Sequence, residues 1–401
     1  MSSPSRLKIQ DLVAAQRSGY SLAQAFYKDQ DVYQQEINQI FLKHWLYAGH
    51  VSQIPQSGDY FTLEFDTESV IVARNSVGEV KAHMNVCRHR GSRICLESSG
   101  SKKSLTCPYH AWSYSLDGEL LSARTMPEGF DRSQHGLHKV QVAVLHGLIF
   151  ICLSEHAPSL DALARDLAEV FVLFGFDTMK LAETKSYRIP ANWKLAVENY
   201  QECYHCAPSH PEFAQIHAMA KAPQVFQTAK ANFHQDQQNN PKFKAFNRYF
   251  DLAEAGQEGY QYDRNPLLRG SVSGSAGGKA VAPLLGNISD YDGGASELMV
   301  GPLSYFLLYD DHMLGYRFLP LSEDECVCDV SWFVHEKALA GKDYQLDQLT
   351  WLWDVTTQAD KKIIMNNQQG VDSRYYQSGP LSAMEHFQQH FLRWYLQALT
   401  R

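Results

Sequence analysis

The chain has 401 residues, of which 44% are apolar and 20% are charged, a balance typical of a folded protein with a sizeable core. Its formal net charge of −8 argues against a nucleic acid or an anionic membrane as partner, because no basic excess is available to neutralise phosphates. The 21 Tyr, 20 Phe and 7 Trp exclude a disordered chain. The length suggests two or three domains.

The chain has 8 Cys and 17 His, and this number of cysteines is too low for a disulfide scaffold of this length. Residues 1–20 contain no apolar run of the kind that forms a secretory signal. The longest apolar run, 142–153, is too short to span a bilayer and predicts a buried strand. We therefore expect a cytoplasmic protein, in which cysteines more often bind metal or catalyse than cross-link.

The hydrophobic periodicity changes several times along the chain. In chain order it predicts a helix over 32–45 capped by Asp31, strands over 60–65, 70–73 and 80–86, a helix over 160–174 capped by Ser159, a helix with a broken end over 185–215, strands over 305–309, 314–318 and 327–334, and a helix over 344–369 that stops at Gly370. The polar residues 220–298 predict long loops and lids. The result is a β-rich insert in an α+β body, with a boundary near 155–160.

Two Cys and two His form the first motif, C-x-H-x17-C-x2-H, with Cys87 and His89 on one loop and Cys107 and His110 on another. Two thiolates and two imidazoles suit either a tetrahedral zinc or a Rieske 2Fe–2S cluster, in which one iron has two Cys ligands and the other two His ligands. Each loop has a mixed pair, whereas zinc fingers separate the Cys pair from the His pair. The motif therefore favours the cluster, and we expect Cys95 to be a packed thiol.

Three residues of the second motif follow one another closely. Glu202 and His205 are three residues apart and would share a helix face. His205 and His210 would point in different directions on one continuous helix, but Pro208 ends the helix and lets His210 return beside His205. Asp360 lies within an apolar stripe of the late helix, where a carboxylate is costly unless paired or bound to metal. Two His and one carboxylate suit a mononuclear iron that activates O2.

Other interpretations of the second motif remain open from spacing alone. Glu202 and His205 could form an ordinary surface hydrogen bond, and His210 could be a loop residue. Cys203 and Cys206, with two His nearby, also permit a zinc site. These two Cys are expected instead to pack as small apolar side chains.

Both motifs resemble those of one known family. The segments CRHRGS (87–92), CPYHAWSY (107–114) and LDG (116–118) resemble the Rieske domain of Rieske non-haem iron oxygenase α subunits. The segments NWK (192–194) and ECYHCAPSHP (202–211) resemble the iron motif of the same family. The resemblance covers nearly the whole chain. It implies an all-β Rieske domain (46–157) inserted in an α+β helix-grip domain with an antiparallel sheet (158–401), and an N-terminal helical segment (1–45) packed on the latter.

The resemblance also implies a role for each site residue. Cys87, His89, Cys107 and His110 would hold the 2Fe–2S cluster, and His205, His210 and Asp360 the mononuclear Fe(II). Glu202 would connect the two centres between subunits of a homotrimer, receiving a hydrogen bond from the neighbour's His110. O2 would be the co-substrate, and a flavin or iron–sulfur reductase would supply electrons from NADH or NADPH.

Within the family, Glu at position 202 and the segments GVDSRYY (370–376) and GPLS (379–382) resemble the branch that acts on quaternary ammonium compounds. That branch includes carnitine and choline monooxygenases and glycine betaine and stachydrine demethylases. It implies hydroxylation of an N-methyl group and release of formaldehyde; the alternative is hydroxylation of an aromatic or N-heteroaromatic acid. Aromatic faces would recognise a methylammonium cation, and the candidates are Tyr200, Tyr204, Tyr305, Phe306, Tyr309, Tyr316 and Trp332.

Overall fold

The computed structural model describes residues 4–236, 240, 242, 246–248 and 256–401. These residues form two units. One unit is Trp45–Ala157, and the other combines Met1–His44 with Pro158–Arg401. An antiparallel sheet of seven strands organises each unit.

The sheet of the Trp45–Ala157 unit has the strand order β1-β10-β9-β4-β3-β2-β5, and a second, three-stranded sheet has the order β6-β7-β8. The strands are β1 (Leu46–His50), β2 (Asp59–Phe65), β3 (Glu68–Arg74), β4 (Val80–Met84), β5 (Ser99–Ser101), β6 (Leu105–Thr106), β7 (Ser113–Tyr114), β8 (Leu120–Ser122), β9 (Lys139–Leu145) and β10 (Leu148–Cys152). The predicted strands over 60–65, 70–73 and 80–86 correspond to β2, β3 and β4. Cys95 is buried in the core of this unit, as predicted.

The apolar run 142–153 forms two strands rather than the single strand predicted. β9 and β10 pair as a hairpin, with Leu145 opposite Leu148. The two residues between them, His146 and Gly147, have φ angles of 46° and 86°. Left-handed residues at both positions give a tight turn whose twist matches that of the strands. The sequence pattern does not indicate this turn, because the residues that flank it are apolar on both sides.

The sheet of the second unit has the strand order β11-β17-β16-β15-β14-β13-β12. Its strands are β11 (Met179–Ile189), β12 (Phe246–Arg248), β13 (Tyr260–Pro266), β14 (Gly294–Val300), β15 (Ser304–Leu308), β16 (Met313–Ser322) and β17 (Glu325–His335). The predicted strands over 305–309, 314–318 and 327–334 are confirmed as β15, β16 and β17. Residues 185–189, predicted as the start of a helix, belong instead to β11, which pairs with β17.

Eleven helices are present in the described part of this unit. They are α1 (Pro4–Ala15), α2 (Ala25–Lys28), α3 (Gln30–Glu36), α4 (Asp161–Asp166), α5 (Ala168–Phe174), α6 (Trp193–Tyr200), α7 (Cys206–Ser209), α8 (Pro211–Ala214), α9 (Pro223–Asp236), α10 (Leu346–Val371) and α11 (His386–Leu399). The prediction of one helix over 160–174 was wrong, because α4 and α5 are separate there. Ser159 does accept a hydrogen bond from the Asp161 N–H, at 3.1 Å.

The first amphipathic helix begins earlier than predicted. α3 starts at Gln30 and continues as a π-helical turn, Ile37–Phe41. Its cap is Asp29 rather than Asp31, because the Asp29 side chain accepts the Asp31 N–H at 2.9 Å. Trp45 lies outside the helix.

The N-terminal helices pack on the helix that leads to the second motif. Glu36 of α3 accepts hydrogen bonds from Trp193 at 2.8 Å and from Lys194 at 2.6 Å, both on α6. The Glu36 and Lys194 side chains are fully buried. Because removing one partner would leave an uncompensated buried charge, this ion pair holds α6 in place.

Two further predictions of element bounds were wrong. The stretch 220–298, predicted as loops and lids, contains α9, β12, β13 and most of β14. Residues 237–239, 241, 243–245 and 249–255 lie outside the described residues. Gly370 does not end α10, which continues to Val371. A glycine ends a helix only when the chain needs a left-handed turn there, and here the chain continues without one. Among the described residues, no helix combines the length and apolar character needed to cross a membrane.

Candidate metal centres

Two short loops of the Trp45–Ala157 unit contain the first motif, and they have the same backbone geometry. The Cys87 carbonyl accepts the N–H four residues on, at Gly91, and the Cys107 carbonyl likewise accepts that of Ala111, at 2.9 and 3.1 Å. Gly91 and Ala111 both have a positive φ, of 77° and 57°. The sequence motif is therefore one turn used twice, and it presents a Cys and a His from each copy.

The side chains of these loops form a set that could bind a metal cluster. Cys87 and Cys107 are each 2% exposed, and the rings of His89 and His110 lie 4.7 Å apart. The His89 ring stacks on Trp112, and its Nδ1 is buried without a hydrogen-bond partner among the described residues. An unpaired buried nitrogen is costly, and a metal bond would satisfy it. Two thiols and two imidazoles in this arrangement fit a Rieske cluster.

The structure adds Tyr114, to which the sequence had assigned no role. Its hydroxyl lies 3.2 Å from the Cys87 sulfur and accepts the Arg88 N–H at 3.0 Å. The ring is fully buried, so its hydroxyl requires such partners. Hydrogen bonds to cluster sulfurs adjust the reduction potential, which gives Tyr114 a function beyond packing.

The second motif brings His205, His210 and Asp360 together, although Asp360 is 150 residues from His210 in sequence. One ligand atom from each residue lies within 4.8 Å of the others. Asp360 Oδ1 is 2.7 Å from His210 Nε2 and 3.2 Å from His205 Nε2. Two imidazole nitrogens and one carboxylate oxygen on one side are the donor set of a mononuclear iron site with open positions. The residues present therefore fit that metal.

Local backbone breaks explain this convergence. α6 ends at Tyr200, and α7 ends at Ser209 with Pro208 in its last turn. His210 has φ −131° and ψ 72°, outside the helical region, and Pro211 starts α8. Proline is favoured in the first turn of a helix because no N–H is needed there. The two helix ends leave the imidazoles of His205 and His210 5.2 Å apart.

Glu202 contacts His205, but not through a shared helix face as predicted, because the segment between α6 and α7 is a turn. Glu202 Oε1 is 2.5 Å from His205 Nδ1. Its other oxygen accepts the backbone N–H groups of Tyr204 and His205. Asn199, which the sequence had not singled out, lies 3.4 Å from His205 Nε2 through its amide nitrogen. These contacts orient the imidazole of His205.

The electrostatics of the triad favour a cation. Burial alone would lower the pKa of His205, but the hydrogen bonds to Asp360 and Glu202 outweigh it and raise the pKa to about 9. Burial alone would raise the pKa of Asp360, yet the hydrogen bonds to His205 and His210 leave that pKa below its usual value. Negative charge therefore remains beside the imidazoles, where a ferrous ion would need it.

Cys203 and Cys206 were expected to pack as separate small side chains, and this expectation was wrong. The structure joins them in a disulfide. Because the chain makes a tight turn between α6 and α7, their Cα atoms lie only 4.9 Å apart, within the range that a disulfide spans. A zinc site built from both cysteines is therefore incompatible with this structure.

One cavity of about 280 Å³ adjoins the triad and is lined by both His205 and His210. Of the seven predicted aromatic residues, Tyr200, Tyr305, Phe306 and Tyr309 line it. Tyr204, Tyr316 and Trp332 do not: Tyr204 is 57% exposed, Tyr316 hydrogen-bonds Thr357 at 3.1 Å behind the lining, and Trp332 is buried in the core. Further lining residues that the sequence did not indicate are Phe226, Trp353, Phe387 and Glu297.

Comparison with known proteins gives the same division of the chain. Residues 44–142 match the Rieske [2Fe-2S] domain, and residues 176–401 match the ring hydroxylating alpha subunit catalytic domain. The glycine betaine monooxygenase oxygenase subunit of Pseudomonas aeruginosa PAO1 is 36% identical, over 98% of this chain and 92% of that protein. The corresponding subunit of Chromohalobacter salexigens is 33% identical, over 96% and 87%.

Solved structures are similar over almost the whole chain. A quaternary ammonium Rieske monooxygenase described for carnitine oxidation by gut microbiota matches with a TM-score of 0.73 and 25% identity, over 97% of this chain and 98% of that one. Naphthalene 1,2-dioxygenase, at 20% identity and a TM-score of 0.68, shares the fold.

The two donor sets and the two sheets define an oxygenase with a Rieske domain and a catalytic domain of the non-haem iron type. Its cofactors are a Rieske 2Fe–2S cluster and a mononuclear Fe(II), with O2 as co-substrate and electrons from NAD(P)H delivered by a separate reductase. The chain belongs to the ring-hydroxylating α subunits of the Rieske non-haem iron oxygenases.

Proposed function

We propose that this oxygenase hydroxylates an N-methyl group of a betaine-type quaternary or tertiary ammonium compound. Relatives named for glycine betaine cover nearly the whole chain, and the carnitine monooxygenase oxygenase subunit of Escherichia coli K12 is 34% identical over 53% of it.

The observation that supports this proposal most is a cavity lined both by the two imidazoles of the triad and by a set of aromatic faces. Tyr200 and Tyr305 meet there with ring centroids 4.6 Å apart, and Tyr309 and Trp353 complete the aromatic side. Aromatic faces attract a quaternary ammonium group, which has no N–H to donate. A methyl group held beside the imidazoles would be in position for oxidation.

The overall chemistry balances as a monooxygenation. One N-methyl group, O2, two electrons and two protons give an N-hydroxymethyl group and water. The N–CH2OH carbon then leaves as formaldehyde when its C–N bond breaks, and the hydroxyl proton remains on the amine product. The iron, when bound, would supply O2 activation, while the mainly apolar lining would hold the methylated group of the substrate beside the imidazoles.

The metal ligands follow from the two donor sets. Cys87, His89, Cys107 and His110 hold the cluster within domain 46–157, and His205, His210 and Asp360 hold the iron within domain 158–401. The segment 1–45 supports the second domain through the contact of Glu36 with α6. Glu202 would connect the iron site to an electron donor, a role that its contact with His205 Nδ1 supports.

That donor would belong to a neighbouring subunit. In a homotrimer with head-to-tail contacts, the partner subunit's His110 would hydrogen-bond Glu202. His110 is on the surface of its unit, which makes it accessible for such a contact. We further propose that a separate reductase supplies the electrons and that the protein is cytoplasmic.

The test is turnover of methylated ammonium compounds by the purified oxygenase with a reductase. Glycine betaine, carnitine and stachydrine are supplied in turn, and formaldehyde and O2 uptake are measured together. Formaldehyde in proportion to O2 supports the proposal. Hydroxylation of an aromatic acid, with no formaldehyde from any ammonium compound, would refute it.

A further inference from the structure

Glu297 is a carboxylate that no part of the metal chemistry explains. It lies on β14, opposite Asp263 of β13 and Leu307 of β15. Side chains alternate across a strand, so Glu297 shares a sheet face with Ala295 and Met299. All three line the cavity that contains His205 and His210.

The Glu297 carboxylate makes no hydrogen bond or ion pair with a side chain in the part of the chain that the structure describes. Burial raises its pKa to about 7, with a further increase from Asp263 and an opposing effect from Lys230. Keeping an unpaired carboxylate in a mainly apolar lining costs free energy. A cationic ligand in the cavity would recover that cost.

The charged neighbours of Glu297 are already engaged elsewhere. Lys230 of α9 forms an ion pair with Asp263, and Asp263 does not line the cavity. The tyrosines that face Glu297, Tyr200 and Tyr309, have pKa values raised by their own burial and are neutral. Burial lowers the pKa of His386 on the last helix, and the charge of Lys230 lowers it further. Among the described residues that line the cavity, Glu202 and Glu297 are the acids, and Glu202 contacts His205 of the triad. Glu297 is therefore the carboxylate that could pair with a cationic ligand.

We propose that Glu297 is the counter-ion that selects a positively charged ammonium group over an uncharged group of the same shape. This assignment rests on the proposed function and adds the residue that recognises the positive charge of the substrate. The aromatic faces would recognise the shape of the methylated group and part of its charge, and the carboxylate would supply a full negative charge within the same cavity. The enzyme would therefore bind a neutral tert-butyl analogue measurably but more weakly than the ammonium compound of the same shape.

A matched pair of ligands isolates this contribution. Glycine betaine and 3,3-dimethylbutanoate have the same shape and the same carboxylate, and they differ by the positive nitrogen in place of carbon. Both are titrated by calorimetry into the metal-loaded oxygenase without reductase, so binding is measured without turnover. The variants are Glu297→Gln, Glu297→Asp and, as a control acid outside the cavity lining, Glu212→Gln on α8.

Glu297→Gln should weaken glycine betaine binding about tenfold or more, because one partner of a buried charge pair is lost, while leaving 3,3-dimethylbutanoate binding within about twofold. Glu297→Asp should keep most of the preference, and Glu212→Gln should keep it fully. Unchanged binding of the dimethylbutanoate also shows that the Gln variant is folded. Equal loss for both ligands, or no loss for glycine betaine, would overturn the role of Glu297.

The two proposals fail in different ways. If no ammonium compound binds or is demethylated by the wild-type enzyme, the proposed function is wrong. If the wild type binds glycine betaine and Glu297→Gln binds it equally well, only the counter-ion assignment is wrong.

The pH dependence supplies a second readout. A bound cation favours the ionised carboxylate, so wild-type affinity for glycine betaine should fall as the pH drops through about 7. The Glu297→Gln variant should lose this dependence. If the variant kept the same pH dependence of affinity, a group other than Glu297 would cause it, and the assignment would be contradicted.

Discussion

The cluster loops and the iron triad solve the same problem, that of gathering metal ligands, in opposite ways. Cys87, His89, Cys107 and His110 come from two nearby copies of one turn in a single β-rich unit. The triad combines two helix ends with Asp360, a residue of α10 that is distant in sequence. The first site depends on local backbone geometry, and the second depends on how helices pack on a sheet.

This difference implies different sensitivities. A cluster held by two short loops should tolerate changes in distant elements as long as its own turns form. The triad should depend on the elements that position α6, α7 and α10, such as the buried pair of Glu36 and Lys194. Each site should therefore be removable without loss of the other.

Asp360→Asn should have the largest effect. Because the amide replaces the only carboxylate of the triad, the mononuclear iron should be lost and turnover should fall by more than the roughly 10–100-fold expected for a residue outside the ligand set. The control is Asp354→Asn on the same helix, which breaks the contact with Lys185 and should keep the iron. Iron analysis with formaldehyde assays tests this. Full activity of Asp360→Asn would exclude it as a ligand.

Cys107→Ser should remove the other centre. The red-brown colour and the visible absorption of the cluster should disappear, while iron analysis should still find about one iron per chain at the triad. Loss of both centres together would show that the two sites are not independent, contrary to the comparison above.

Glu202→Ala should keep both centres and reduce turnover by roughly 10–100-fold, as expected for a residue that orients a ligand. Metal content and the cluster spectrum show that the centres remain, and stopped-flow reoxidation of the cluster in the presence of substrate measures electron transfer. Glu212→Ala, on α8, is the control. Normal cluster reoxidation in Glu202→Ala would refute the bridging role.

Tyr114→Phe should have the smallest effect. The variant loses the hydrogen bond to the Cys87 sulfur, so the reduced cluster is less stabilised and its reduction potential should fall. Protein-film voltammetry measures the shift, with iron content as the check that the cluster is intact. An unchanged potential would show that this contact is only structural.

The sequence predicted the cluster ligands more completely than the iron ligands, because the cluster motif is local and the triad is not. The four residues of the cluster motif lie on two nearby turns, so their spacing alone favoured a Rieske cluster with these residues as ligands. The helical spacing of Glu202 and His205 predicted the right neighbours for the wrong reason, because a turn also brings residues three apart together. Asp360 was predicted as the third iron ligand because it lies in an apolar stripe of a helix, and the family resemblance strengthened that assignment.

Other features could not be predicted because they depend on distant pairing. Glu297 lies at the end of a polar stretch that predicted loops, and its position on the cavity face appears only once β14 pairs with β13 and β15. The link between Cys203 and Cys206 depends on the backbone of one turn, which composition does not specify. Tyr316 contacts the lining residue Tyr200 from outside the cavity, and Trp332 is buried in the core; the spacing of aromatic residues along a strand does not distinguish these positions from the lining.

A single turnover without reductase tests most directly whether both metal centres supply electrons for N-demethylation. The oxygenase is reduced chemically, freed of reductant and mixed with glycine betaine and O2, and formaldehyde and the oxidation state of the cluster are measured together. About one formaldehyde per mononuclear iron should form, with oxidation of the cluster in the same step, because one electron comes from each centre. Cluster oxidation without formaldehyde, or formaldehyde without cluster oxidation, would contradict this prediction.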